Sequence, residues 1–132
     1  MKIGVIDLIS PKKDLGFYTG LINPNLTSIM PQVVSVWLEQ MGHDIWYYTY
    51  TGHSDLKTSL NTDLDVVFIS TYTFGAYAAY AISKFYRQRG VVTILGGPHA
   101  RSYPDDSLNY FDYVLKFTNK SILRDLFHLI AL

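Results

Sequence analysis

Two short segments carry the residue types that could do chemistry. Ser70-Thr71-Tyr72-Thr73-Phe74-Gly75 closes an apolar run with hydroxyls and aromatic rings. Gly96-Gly97-Pro98-His99 closes the apolar run Thr93-Ile94-Leu95 with bare backbone. Glycine adopts backbone angles that other residues avoid and has no side chain to hold a ligand away. Facing each other, the segments suit a flat, amide-bearing or nucleotide-like ligand that needs neutral hydrogen bonds and a stacking surface. Asp7, at the end of the first apolar run, joins them, so the candidate contacts are Asp7, Ser70, Thr71, Tyr72, Thr73, Gly96, Gly97, Pro98 and His99. Each has a structural alternative. The glycine pair makes a tight strand-to-helix turn, Ser70 and Thr73 are able to cap the following helix, and His99 fits a supporting role better than a metal ligand.

Other chemistries lack their residues. The loop after Ile9 (Ser10-Pro11-Lys12-Lys13-Asp14-Leu15-Gly16) has no Gly-x-Gly-x-x-Gly and no phosphate-loop Gly-Lys-Ser/Thr. Ser70-Thr71 stands where a phosphoacceptor aspartate would end the third strand, and Tyr18-Thr19-Gly20 is a poor and late match to a flavin-phosphate turn. There is no Gly-x-Ser-x-Gly nucleophile turn. His43, His53, His99 and His128 show no metal-ligand spacing.

The elements that must position these segments are legible as alternating patterns. Apolar, β-branched and aromatic runs predict strands at Lys2–Ile9, Asp44–Tyr50, Asp65–Thr71, Val91–Leu95 and Asp112–Phe117. The first, third and fourth are nearly continuous in apolar residues, as in strands buried on both faces. The second is aromatic and half polar, which predicts an edge. Between them, Met30, Val33, Val34, Trp37, Leu38 and Met41 form a helical stripe. Ser28 is placed to cap that helix, Pro31 to sit in its first turn and Gly42 to end it. Phe74, Ala78, Ala81, Ile82 and Phe85 form a second stripe, ended by Gly90, and Ile122, Leu123, Leu126, Phe127 and Ile130 a third. A short helix is expected after Pro104 and another somewhere in Gly52–Asp63. The order predicts a three-layer α/β, flavodoxin-like (Rossmann-like) fold with a five-stranded parallel sheet in the order 2-1-3-4-5. Its ligand crevice lies beyond the carboxyl ends of the strands, lined by residues 8–28, 70–75 and 96–103.

Composition bounds the rest. The chain has 132 residues, eleven basic against eleven acidic, and no cysteine. That is one domain, 1–132, with no basic field for nucleic acid. It holds no disulfide, thiolate zinc site or cysteine-ligated iron–sulfur cluster. No apolar run reaches membrane-spanning length, and the absence of cysteine fits the cytoplasm. A neutral surface favours self-association, so a homodimer or a partner domain is expected. The apolar end His128-Leu129-Ile130-Ala131-Leu132 reads as a cut before a further domain.

Several pieces together resemble the cobalamin-binding domain at the amino end of radical S-adenosylmethionine enzymes. They are Leu38-Glu39-Gln40-Met41-Gly42-His43, Leu64-Asp65-Val66-Val67-Phe68-Ile69-Ser70, Ile94-Leu95-Gly96-Gly97-Pro98-His99-Ala100, Tyr103-Pro104 and Phe111-Asp112-Tyr113-Val114. The resemblance runs from about residue 2 to 130, and its most specific part is Gly-Gly-Pro-His-Ala after a strand. It implies that cobalamin's nucleotide tail lies between Ser70-Thr71-Tyr72 and Gly96-Gly97. It also implies a catalytic domain, beyond this chain, that holds S-adenosylmethionine and a [4Fe-4S] cluster. Related methyltransferases ligate cobalt through Asp-x-His-x-x-Gly; Asp7-Leu8-Ile9-Ser10-Pro11-Lys12 has the aspartate without the histidine. Two departures, Tyr72 for leucine and Lys116-Phe117-Thr118-Asn119-Lys120 for Gly-Glu-Gly-Glu, support an alternative: the same fold without cobalamin, used for docking or substrate recognition. An independent flavodoxin-like enzyme is a third reading, against which stands the lack of a catalytic constellation.

Overall fold

The computed structural model describes residues 1–9, 29–50 and 55–132. The expected Ser28 cap, the Lys12-Lys13 pair, most of the 8–28 loop and His53 lie outside them. The elements are β1 (Lys2–Leu8), α1 (Ile29–Gln40), β2 (Asp44–Tyr50), α2 (Leu56–Ser59), β3 (Val66–Thr71), a single 3-10 turn (Thr73–Gly75) and α3 (Ala76–Arg87). They continue with β4 (Val92–Gly96), α4 (Pro98–Ser102), α5 (Pro104–Ser107), β5 (Tyr113–Val114) and α6 (Lys120–Ala131). The five strands are all parallel in the order β2-β1-β3-β4-β5. This is the flavodoxin-like α/β arrangement expected from the sequence.

Burial follows the composition of each strand. β1, β3 and β4 are buried almost throughout, whereas β2 is half-exposed at an edge. Alternate residues of the sheet feed two cores. Ile3, Val5, Val66, Phe68 and Ile94 meet Val34 and Leu38 of α1 and Leu123, Leu126 and Phe127 of α6. Ile6, Leu8, Val67, Ile69 and Leu95 meet Ala76, Ala79, Tyr80, Ile82 and Tyr86 of α3. α6 begins at Asn119, whose Oδ1 accepts the Ile122 N–H at 2.8 Å. Gly42, at φ +92°, ends α1.

Three expectations shift. The buried stripe of α3 is Ala76, Ala79, Tyr80, Ile82, Ser83 and Tyr86, while Phe74 and Ala81 are exposed. The tyrosines can go inside because their hydroxyls find partners: Tyr86 donates to the Asn61 carbonyl at 2.8 Å and Tyr80 to Asp106 at 2.7 Å. The segment 96–103 is not a plain loop; it contains α4. β5 covers only Tyr113–Val114, although Asp112 N–H and Leu115 N–H also bond to β4 carbonyls, at 3.1 and 2.8 Å. Beyond that the chain turns outward, leaving Phe117 well exposed.

Candidate functional site

In a parallel sheet, residues in register lie side by side with side chains on one face. At the carboxyl edge, Asp7 is in register with Thr49 and Ser70, and Ser70 with Gly96. A polar row thus crosses the switch point between β1 and β3 on the face covered by α1 and α6. Asp7 is only 1 % exposed and is engaged in the interior. Nearby, the Tyr47 hydroxyl is buried without a hydrogen-bond partner among the described residues. Burial, reinforced by the charge of Asp7, pushes its pKa up to about 12; the nearby Thr49 hydroxyl opposes this weakly, from outside hydrogen-bond geometry.

Above this row opens a cleft of about 360 Å³. β3 and its exit contribute Ser70 and Tyr72; β4 and α4 contribute Gly97, Pro98 and Arg101. The first turn of α1 adds Met30 and Pro31, and the segment after β5 adds Lys116, Phe117 and Thr118. Four of the sequence-predicted residues, Ser70, Tyr72, Gly97 and Pro98, therefore converge on one cavity. Among the described residues Ser70 Oγ makes no hydrogen bond, so it is free to receive one from a ligand or give one to it. The exposed rings of Tyr72 and Phe74 stack with centroids 5.7 Å apart beside the opening.

The glycine pair has a second explanation. Gly97 lies at φ +86°, ψ −173°, a region nearly closed to residues with a Cβ. A Cβ there would stand 2.7 Å from Ser70 Oγ and 3.2 Å from the Thr71 backbone N and O. One on Gly96 would stand 2.5 Å from Phe68 Cζ. The protein's own β3 fills the space a side chain would need. The bare backbone is thus required by the fold, whether or not a ligand also meets it.

The remaining predicted residues lie elsewhere. Thr71 is buried on the α3 side, its hydroxyl bonded to the Tyr72 carbonyl at 2.9 Å. Neither Ser70 nor Thr73 caps the turn or helix that follows. His99 is 3 % exposed and is turned away from the cleft, into a hydrogen-bonded chain with Tyr80. Tyr80 has one proton, which it gives to the Asp106 carboxylate at 2.7 Å. Its oxygen must then accept from His99 Nε2, also at 2.7 Å, leaving Nδ1 to face the Thr73 hydroxyl at 3.4 Å. Burial lowers the His99 pKa, partly offset by Asp106, which favours the neutral ring. This chain ties α3 to α4, α5 and the exit of β3. It places His99 as a support of the cleft's lip, outside the lining.

Met30, Pro31, Lys116, Phe117 and Thr118 lie outside the segments expected to line the crevice, whereas Arg101 falls within the expected 96–103 but was not among the candidate contacts. The signals for Lys116, Phe117 and Thr118 were their position after a strand at the same edge and their place in the element that departs from Gly-Glu-Gly-Glu. A larger groove, about 510 Å³, lies at the opposite edge, lined by Arg87, Gly90, Val91, Val92, Asp112 and Tyr113. There Arg87 Nε already pairs with Asp112 at 3.4 Å. Open parallel sheets bind at their carboxyl edge, where this cleft offers Ser70 Oγ, unbonded among the described residues, beside the switch point. Among the described residues no group of three or more His, Cys, Asp or Glu could hold a metal ion, and no helix is long and apolar enough to cross a membrane.

Comparison of the chain with protein-family models, with curated proteins and with solved structures found no match.

Proposed function

We propose that this domain is a cofactor-binding module that holds cobalamin at the carboxyl edge of its sheet. One observation carries the reading: Ser70, Tyr72 and Gly97, which the resemblance assigns to the nucleotide tail, line a single cleft at the switch point. At about 360 Å³ the cleft is at the lower end of small-molecule pockets, which run from about 300 to 1,000 Å³, a size that suits the nucleotide tail rather than the whole cofactor. Ser70 Oγ offers a hydrogen bond, and Tyr72 and Phe117 offer stacking faces. His99 is committed to Tyr80 and Thr73, so the metal takes no ligand from it. When bound, cobalamin would supply methyl-group or radical chemistry, completed by a catalytic domain or partner chain that carries S-adenosylmethionine and its iron–sulfur cluster. The cysteine-free composition favours the cytoplasm.

The docking or recognition reading is favoured by a different observation: β3 itself accounts for both glycines, through Phe68 and Ser70. Titration of the chain with hydroxocobalamin, followed by the visible spectrum and by retention on gel filtration, separates the two. Stoichiometric retention with a base-off spectrum, weakened by Tyr72→Ala and Phe117→Ala, supports the cofactor module. No retention at concentrations far above micromolar overturns it in favour of docking. Both rings are exposed, so their removal leaves the core intact.

A further inference from the structure

The charge of the cleft differs from that of the chain. The whole sequence is neutral, yet the lining contains Arg101 and Lys116 and no acidic residue. Neither cation belongs to an ion pair among the described residues, where the pairs are Lys2–Asp63 and Arg87–Asp112. Arg101 is held rather than free. Its Nε donates to the Lys116 carbonyl at 3.4 Å, and its guanidinium carbon lies 5.2 Å from the centre of the Phe117 ring. These contacts join α4 to the segment after β5 across the mouth of the cleft. They leave the terminal guanidinium nitrogens without a protein partner among the described residues. The acid nearest to Ser70 by strand register, Asp7, is buried and does not line the cavity.

We propose that Arg101 and Lys116 are the anion-binding groups of this cleft, and that its ligand carries a phosphate beside a planar ring, as a nucleotide does. A planar fork of donors matches a phosphate edge, and an ammonium adds a point charge. Ser70 and Thr118 supply hydroxyls, and Tyr72 and Phe117 supply flanking rings. The inference rests on the cleft being the ligand site, and it narrows the ligand class there. The same chemistry is present in the nucleotide tail of cobalamin and in a free nucleotide, so the probes must separate these sources.

The experiment compares binding of hydroxocobalamin, of a cobinamide (which lacks the nucleotide tail) and of adenosine monophosphate to the full chain, at low and raised salt. The same series is run on Arg101→Gln/Lys116→Gln and on the charge-keeping Arg101→Lys/Lys116→Arg. Loss of a hydrogen bond to a charged group should weaken binding about tenfold or more in the neutralised variant, with partial recovery in the charge-keeping one. Salt should weaken the wild type and leave the neutralised variant nearly unaffected. Both residues are exposed, so circular dichroism and melting of the variants should match the wild type. Preference for cobalamin over cobinamide assigns the phosphate to the tail. Binding of adenosine monophosphate alone keeps the inference and removes the cobalamin reading. Equal binding of cobalamin and cobinamide, or equal binding by wild type and neutralised variant, overturns the inference and leaves the cofactor reading standing. No binding of any probe overturns both.

Discussion

Replacing Gly97 by alanine separates a glycine demanded by the fold from one kept bare for a ligand. The new Cβ faces two costs. The backbone at φ +86°, ψ −173° is almost exclusive to glycine, a strain of about 1–3 kcal/mol. The Cβ would also sit 2.7 Å from Ser70 Oγ and 3.2 Å from Thr71 N and O. Thr71 ends the buried central strand β3 and cannot retreat, so overpacking adds roughly 1–3 kcal/mol. Gly42→Ala is the control: φ is +92°, but nothing lies within 4 Å of the added Cβ, so strain of about 1–2 kcal/mol acts alone. Gly97→Ala should therefore destabilise by roughly 2 kcal/mol more than Gly42→Ala, moving the urea midpoint by about 1 M further at unchanged slope. Ser70→Ala in the Gly97→Ala background removes the nearest clash and should recover part of the difference. Equal midpoints for the two glycine variants would refute the reasoning. They would mean that β3 yields easily and that the open backbone at Gly97 serves something outside the chain.

Three further predictions concern buried polar groups. Tyr80→Phe leaves the His99 Nε2–H without an acceptor, at a cost of about 1–3 kcal/mol measurable by urea denaturation. An unchanged midpoint would remove His99 from the support of α3, α4 and α5. His99 has its pKa lowered by burial, so below its unfolded pKa of about 6.5 the unfolded chain gains a proton that the folded chain resists. Its contribution is present above that pH and is lost as pH falls through the folded pKa. Denaturation midpoints should fall on acidification less steeply in His99→Gln than in wild type; the same slope in both would contradict the assignment. His43, also lowered by burial and by the N-terminal amine, acts in the same direction and stays in both proteins. Tyr47→Phe removes a buried hydroxyl that has no partner among the described residues and should leave stability unchanged or raise it by up to about 1 kcal/mol. A loss of stability would show that the hydroxyl is bonded.

The strands could be read from sequence because burial on both faces forces unbroken apolar runs. Val66-Val67-Phe68-Ile69 is short, unbroken and rich in β-branched residues, which marks a strand buried on both faces. The aromatic β2, with polar positions interleaved, carried its edge location in the same way. α3 was misoriented because hydrophobicity ranks Phe74 and Ala81 above Tyr80 and Ser83. The buried tyrosines depend on hydrogen bonds to Asn61 and Asp106, more than twenty residues away along the chain. α4 was hidden by its length of five residues and by the Gly-Gly-Pro opening, which reads as a loop. That helix also decides the fate of His99. Neighbouring residues on a helix point about 100° apart, so Pro98 lines the cleft while His99 turns inward to Tyr80. Ser70 and Gly97 were legible as site residues because they sit at strand ends. Lys116 and Thr118 were not, because an edge strand brings them to the cleft only in the folded chain; Arg101 lay in an expected lining segment, but the short helix that turns it to the cleft was unread.

We place function in the cleft at the carboxyl edge between α1, α4 and the segment after β5. Amide chemical-shift mapping of the chain during titration with hydroxocobalamin tests it most directly. Shifts should concentrate at Ser70–Tyr72, Gly97–Arg101 and Lys116–Thr118 and saturate at one equivalent. Saturable shifts centred instead on Arg87, Val91 and Asp112 at the amino edge, or no shifts at any concentration, would contradict it.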